Sequence, residues 1–156
     1  MRTMILKLGD EEIVLEYEKE LELHEETINE DLKRQPNLFA WYCVVLERAI
    51  ADRDEAKLAL EILEAELDAK YRMNLVKGKK PTERHIEAQI KLDEAFIEAR
   101  MDVIEKNKSV GMLKGIKDSF NHRKEAVIAL ASNMRAQADP SIYVGKKEAE
   151  KKLGYR

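Results

Sequence analysis

The sequence predicts a mainly α-helical protein: a long antiparallel helical hairpin, a third C-terminal helix and a small N-terminal β-hairpin. Three observations carry this. Charged residues make up 38% of the 156 residues, with only three prolines and six glycines; the usual charged share is roughly 25%, and the excess is typical of long solvated helices. Apolar residues recur over long stretches at steps of three and four, the period of an α-helix. Near the N-terminus the step drops to two, the period of a strand.

Residues 3–8 read Thr-Met-Ile-Leu-Lys-Leu, so Met4, Leu6 and Leu8 share one face. Beyond the turn-forming pair Gly9-Asp10, Ile13, Leu15 and Tyr17 share another. A two-stranded hairpin is not stable alone, so this one packs on helices or joins strands of other subunits. Glu-rich residues 18–31 form either a short helix or an acidic linker, and the pattern favours a helix from Glu25 to Arg34. Gln35-Pro36-Asn37 ends it, because proline lacks a donor and forces its predecessor out of helical geometry. With Asn37 as N-cap, a first long helix runs from Leu38 to Met73. Its stripe is Leu38, Tyr42, Val45, Ala49, Ala56, Leu60, Leu63 and Leu67, with a gap at Asp52-Arg53-Asp54-Glu55. The gap is a solvated turn, the simplest account, or a polar layer or subunit contact.

Pro81-Thr82-Glu83 opens a second helix, with Thr82 as N-cap and Glu83 at the positive end of the helix dipole. Its stripe is Ile86, Ile90, Ile97, Met101 and Ile104, widened by Leu92, Phe96 and Val103. The short link from Lys77 to Pro81 makes the two helices antiparallel neighbours. Near Asn107-Lys108-Ser109 the pattern resets, and Ser109 caps a third helix that reaches about Ala138. Met112, Leu113, Ile116, Phe120, Val127, Leu130, Ala131 and Met134 form its apolar face. Gly111 and Gly115 lie on it either for close backbone packing or as weak points, each costing about 1 kcal/mol relative to alanine. Asp139-Pro140 stops this helix. The chain thus divides into an acidic N-terminal β-hairpin arm (1–24), a helical domain (25–138) and a basic C-terminal tail (139–156) with a last helical turn around Lys146 to Leu153.

Net charge is only -3 but is segregated: residues 1–31 sum to -8, residues 32–69 to -3 and residues 70–156 to +8. An acidic head and a basic body imply a polyanionic partner, head-to-body contacts between subunits, or two solvated faces. They leave open whether the head masks the basic region. No run approaches the roughly 18 apolar residues of a membrane span, and Met1 to Lys7 is too short for a signal peptide. The expected compartment is the cytoplasm, with no membrane partner.

Enzymatic chemistry is not expected. Cys43 is the sole cysteine, within the apolar run Trp41 to Leu46, which rules out an intrachain disulfide and suits a buried thiol. His24, His85 and His122 stand apart, with no second His or Cys at helical spacing, so no metal or cofactor is expected. There is no Glu-x-x-His pair, no Gly-x-Ser-x-Gly elbow and no Gly-rich phosphate loop.

What remains is electrostatic. Lys70, Arg72, Lys77, Lys79, Lys80 and Arg84 gather around the turn between the first two helices, and no acid interrupts them before Glu83. A phosphate chain passing the tip would meet several cations and release its counterions. Tyr71 sits among them, either to stack on an exposed base or to extend the apolar stripe. Lys114, Lys117, Arg123 and Lys124 make a second basic face on the third helix, broken by Asp118 and Glu125.

With Lys70-x-Arg72 ending the first long helix and Gly78-Lys79 following, the chain resembles the UvsY-type recombination mediators of tailed phages. Asn29 to Lys33 and Asn133 to Ala136 add to the likeness, which covers roughly residues 25–138. The resemblance implies that Lys70 and Arg72 contact single-stranded DNA, with Lys77 and Lys79 extending the contact. It also implies a homo-oligomeric ring built through the C-terminal helices, with a recombinase and a single-strand binding protein as partners, working in the host cytoplasm. The arm before residue 25 and the tail beyond Asp139 have no counterpart in that family. The rival expectation is a non-enzymatic helical scaffold or assembly protein, whose acidic head and basic body mediate subunit contacts.

Overall fold

The alternating N-terminal residues form β1 (Met4–Leu8) and β2 (Glu11–Leu15), antiparallel strands in register from Met4 opposite Leu15 to Leu8 opposite Glu11. Gly9 turns the chain with φ +58°, a conformation that costs other residues a steric clash. The computed structural model describes residues 3–74 and 78–138. Met4, Leu6, Leu8 and Leu15 are buried against the helices, while Ile5 and Val14 face outwards. Packing on helices is therefore what stabilises the hairpin.

A short helix α1 (Tyr17–Leu21) and a 3-10 turn (Glu25–Thr27) lead into α2 (Ile28–Met73), whose 46 residues span about 70 Å at 1.5 Å each. The expected stop at Gln35-Pro36-Asn37 does not occur: Pro36 lies inside α2. Pro36 leaves the Leu32 carbonyl without its helical donor. Tertiary contacts on both sides hold the helix through it, with Ile28, Asp31 and Gln35 buried before the proline and Tyr42 and Val45 after it. Tyr42 stacks on Phe120 with ring centroids 4.3 Å apart and donates to Glu20 Oε2 at 2.6 Å, which ties α1 to the helical pair. Burial, and the Glu20 carboxylate, push the Tyr42 hydroxyl well above its usual pKa.

After the tip, α3 (Glu83–Leu92) and α4 (Glu94–Ala138) run back along α2. Thr82 precedes α3 as expected, and its carbonyl accepts from the His85 and Ile86 amides. The break between the return helices falls at Asp93, not at Asn107-Lys108-Ser109. Asp93 adopts an extended ψ of 128°, ends α3, and caps α4 by accepting from the Ala95 amide at 3.1 Å. Ser109 lies inside α4, where its hydroxyl donates to the Glu105 carbonyl one turn earlier instead of capping a new helix. The expected third helix is thus the continuation of α4, and the additional helix is the short α3 at the tip.

This break changes which side chains face α2. Read as one helix, Ile86, Ile90, Ile97, Met101 and Ile104 would share the seam. One non-helical residue resets the phase, so Phe96, Val103 and Val110 turn inward, while Ile97, Met101 and Ile104 are exposed. Gly111 and Gly115 serve no close approach within the described chain: a methyl group added at either would meet nothing within 4 Å.

The α2–α4 seam alternates apolar clusters with polar layers. A cluster at the open end (Ile28, Val127, Ala131) is followed by the buried set Asp31, Gln35 and Arg123. Then come the central core under the β-hairpin, the pair Asp52–Lys106 at 3.0 Å, and a tip cluster of Leu67, Ile86, Ile90 and Phe96. The gap in the α2 stripe is therefore a polar layer; Asp52 is drawn inward by the Lys106 ammonium. No helix among the described residues is long and apolar enough to cross a membrane. Residues 139–156, expected to be a basic tail, lie outside the described residues.

Candidate nucleic-acid interface

The tip is built by the end of α2, Gly78 at φ +75°, and the start of α3. Lys79, Lys80 and Arg84 are exposed there, and among the described residues no carboxylate pairs with them. Lys70 is also solvated, with its ammonium 3.9 Å from Asp93 Oδ2 and 5.2 Å from the centre of the Tyr71 ring. Lys77 lies outside the described residues.

The other two tip residues are engaged. Arg72 grips Glu83 with both terminal nitrogens, Nη1 at 2.5 Å and Nη2 at 2.8 Å, and its Nε donates to Asp68 at 2.6 Å. The hydrogen bond from Arg72 holds the Glu83 carboxyl below the usual carboxylate range, and Glu83 and then Asp68 push the guanidinium further up. Arg72 thus braces the start of α3 against the end of α2. Tyr71 packs on the tip cluster and donates to Asp93 Oδ2 at 2.7 Å. That bond lowers the Asp93 pKa and raises that of the phenol. Of the two expectations for Tyr71, the structure has the side chain that extends the apolar stripe.

The second basic face separates into its members. Lys114 and Lys124 are exposed, and Lys117 lies 3.2 Å from its neighbour Asp118. Arg123 does not belong to that face: its side chain is 3% exposed, in the seam, donating to Asp31 Oδ1 (2.5 Å), Gln35 Oε1 (2.7 Å) and the Glu22 carbonyl (3.1 Å). Gln35 completes the layer by donating to the Phe120 carbonyl at 2.6 Å. A guanidinium so enclosed is a structural tie between the acidic arm, α2 and α4. Its position three residues after Phe120 and four before Val127 is a core position of the stripe, the signal that could have revealed it.

The acids around the tip were missed by sequence reasoning. Asp68 lies one turn before Arg72 and was readable as an i, i+4 partner; Glu83 stands in the tip's own sequence but meets Arg72 only through the fold, and Asp93 reaches the tip only through the fold. The acidic head does not mask the tip, since it packs on Tyr42 to Ala49, about 35 Å along α2 from Met73. A cleft of about 470 Å³ between the arm and the helices is lined by Glu16, Glu20, Glu22, Glu30 and Asp31 besides Lys19, Arg34 and Arg123, an acidic excess that disfavours phosphate. Cys43 is half-buried, and no group of three His, Cys, Asp or Glu side chains among the described residues could hold a metal ion. Comparison with protein-family models, with curated proteins and with solved structures finds no match to the chain.

Proposed function

We propose that the protein is a non-catalytic recombination mediator: a homo-oligomer, a ring in the manner of the family it resembles, that binds single-stranded DNA at its hairpin tips. It would promote loading of a recombinase onto DNA coated by single-strand binding protein, in the cytoplasm of a phage host. The observation that supports this best is the exposed cluster Lys70, Lys79, Lys80 and Arg84 at the end of the hairpin. Arg72 belongs to the same contact set. Its pair with Glu83 is solvent-exposed and screened by water, so an arriving phosphate can take over the guanidinium fork at little cost. Nothing in this role requires catalysis; holding DNA in the form a recombinase prefers shifts an equilibrium.

The test is fluorescence anisotropy of a labelled single-stranded oligonucleotide against salt. About four phosphate contacts give a slope near -3 in log affinity against log salt, and Lys79→Ala/Lys80→Ala should flatten it by about 1.4 while leaving the fold intact. Salt-independent binding, or none at low salt, would remove the DNA reading. The assembly-scaffold reading then stands, favoured by the apolar side chains that the helices expose.

A further inference from the structure

Across the seam from the acidic cleft, α2 and α4 leave an apolar groove of about 420 Å³ between them, within the roughly 300–1,000 Å³ of ligand pockets. Leu32, Pro36 and Phe39 form one bank, Ile128 the other, and the buried Phe120 and Val127 the floor. Pro36 has no amide to take up the Leu32 carbonyl, so the same bank carries a hydrogen-bond acceptor beside its apolar surface. Gln35 also lines the groove, but its amide is already committed to the Phe120 carbonyl and to Arg123.

The rim is cationic. Lys117, Asn121, Lys124 and Ile128 recur at steps of four and three, so they form one ridge of α4 along the groove. Lys124 is exposed at its edge, and Lys33 is exposed on α2, roughly 60° round the helix from Pro36. Among the described residues no carboxylate pairs with either. The neighbouring acids face elsewhere. Asp118 and Glu125 follow Lys117 and Lys124 by one residue, roughly 100° round α4 on the side away from α2, and Asp118 lies 3.2 Å from Lys117. Glu30 and Asp31 line the cleft on the arm side. The first acid on the groove's own face of α2 is Glu47, about 12 Å beyond Phe39, and none follows Glu125 on α4.

We propose that this groove docks an acidic segment of another protein, which sets a large apolar side chain on the floor and its carboxylates against Lys124 and Lys33. The floor calls for an apolar anchor, the source of most affinity at such sites, and the rim selects the sign of charge around it. A phosphate chain alone would engage the rim and leave the floor in water. The chain's own ends do not suit the groove: residues 139–156 carry five bases and three acids, and the acidic arm is already seated on the central core. Phe39 is about 50 Å along α2 from Met73, so the groove and the basic tip occupy separate ends of the hairpin. The inference is therefore independent of the DNA reading.

The test is anisotropy of a labelled short peptide, aspartates on both sides of a Leu-Trp pair, titrated with the full chain at fixed salt. Replacing the pair by Gly-Gly should weaken binding by roughly 10-fold or more, the effect of burying one large apolar side chain. Lys33→Glu/Lys124→Glu should weaken the parent peptide by a similar factor with unchanged circular dichroism, whereas Lys79→Glu/Lys80→Glu at the tip should leave it unchanged. If reversing both charges disturbs the fold, Ile128→Gln, at an exposed position of the groove, is read in the same way. No binding of the peptide by wild type, equal binding of the Gly-Gly peptide, or a loss at the tip lysines in place of the groove lysines would each overturn the proposal. Two further outcomes would reassign the groove and overturn it as well. An oligonucleotide released by Lys33→Glu/Lys124→Glu, with the peptide unbound, would give the rim to DNA; self-association lost in that variant, measured by sedimentation equilibrium, would give the groove to a second copy.

Discussion

Arg123 shows how a single residue can carry opposite meanings in sequence and structure. Among Lys114, Lys117 and Lys124 it looks like part of a phosphate-binding face, yet it lies in the seam with Asp31 8% exposed and Gln35 5% exposed beside it. Its Nε has no hydrogen-bond partner among the described residues, so the layer is not saturated even with three acceptors engaged. Burying such a pair is weak evidence for stability, since an apolar core often does as well, but removing one partner leaves an uncompensated charge. Arg123→Ala should therefore destabilise the fold by about 3–5 kcal/mol, measured by urea denaturation. An Arg123→Met/Asp31→Leu pair should recover most of that loss. If the single variant unfolds like wild type, the layer is not the tie between arm and hairpin inferred here.

At the scale of elements, periodicity was legible and phase was not. The steps of three and four in α2 predicted its inward face from Tyr42 to Leu67, and alternation predicted the β-hairpin, because both patterns reflect local geometry that any partner layer would reward. Asp93 and Ser109 are equally plausible N-caps by residue type. What separates them is tertiary: Tyr71 reaches across to hold the Asp93 carboxylate, while Ser109 bonds its own helix. Missing that break misassigned Ile97, Met101 and Ile104 to the core. Likewise the basic run around Gly78 was visible as composition, but the pairing of Glu83 with Arg72 and the approach of the Asp93 carboxylate are made only by the fold. Pro36 was the third misreading, since local propensity argued for a stop that packing on both sides overrides. Its missing amide should still cost stability. Pro36→Ala, at an exposed position of α2, should stabilise the protein by about 1–3 kcal/mol, up to the cost of proline in a helix interior, as a higher urea midpoint with unchanged slope. A destabilised variant would mean that Pro36 shapes the adjoining apolar groove of Leu32, Phe39 and Ile128 more than it strains the helix.

At the scale of the whole molecule the hairpin separates two tasks along its length. The arm and the polar layers fix one end and the register, leaving the tip free to present cations and the distal flank free to present exposed apolar side chains. A tip with about four exposed cations binds a phosphate chain weakly on its own; pairing hairpins converts the second contact into an intramolecular one, worth a factor of roughly 10² to 10⁴ if one strand reaches both tips. The proposed oligomer and the proposed site are therefore coupled in a measurable way. A variant made monomeric by charges at exposed apolar residues, for example Ile62→Glu/Met101→Glu, leaves every tip lysine in place and should bind a short oligonucleotide as wild type does. It should bind a long one about 100-fold more weakly, with affinity again read by anisotropy at fixed salt. Equal losses on both lengths would mean that the substitutions disturb the tip itself. No loss on the long strand, in a variant shown to be monomeric, would mean that each hairpin engages DNA alone and that association serves another purpose.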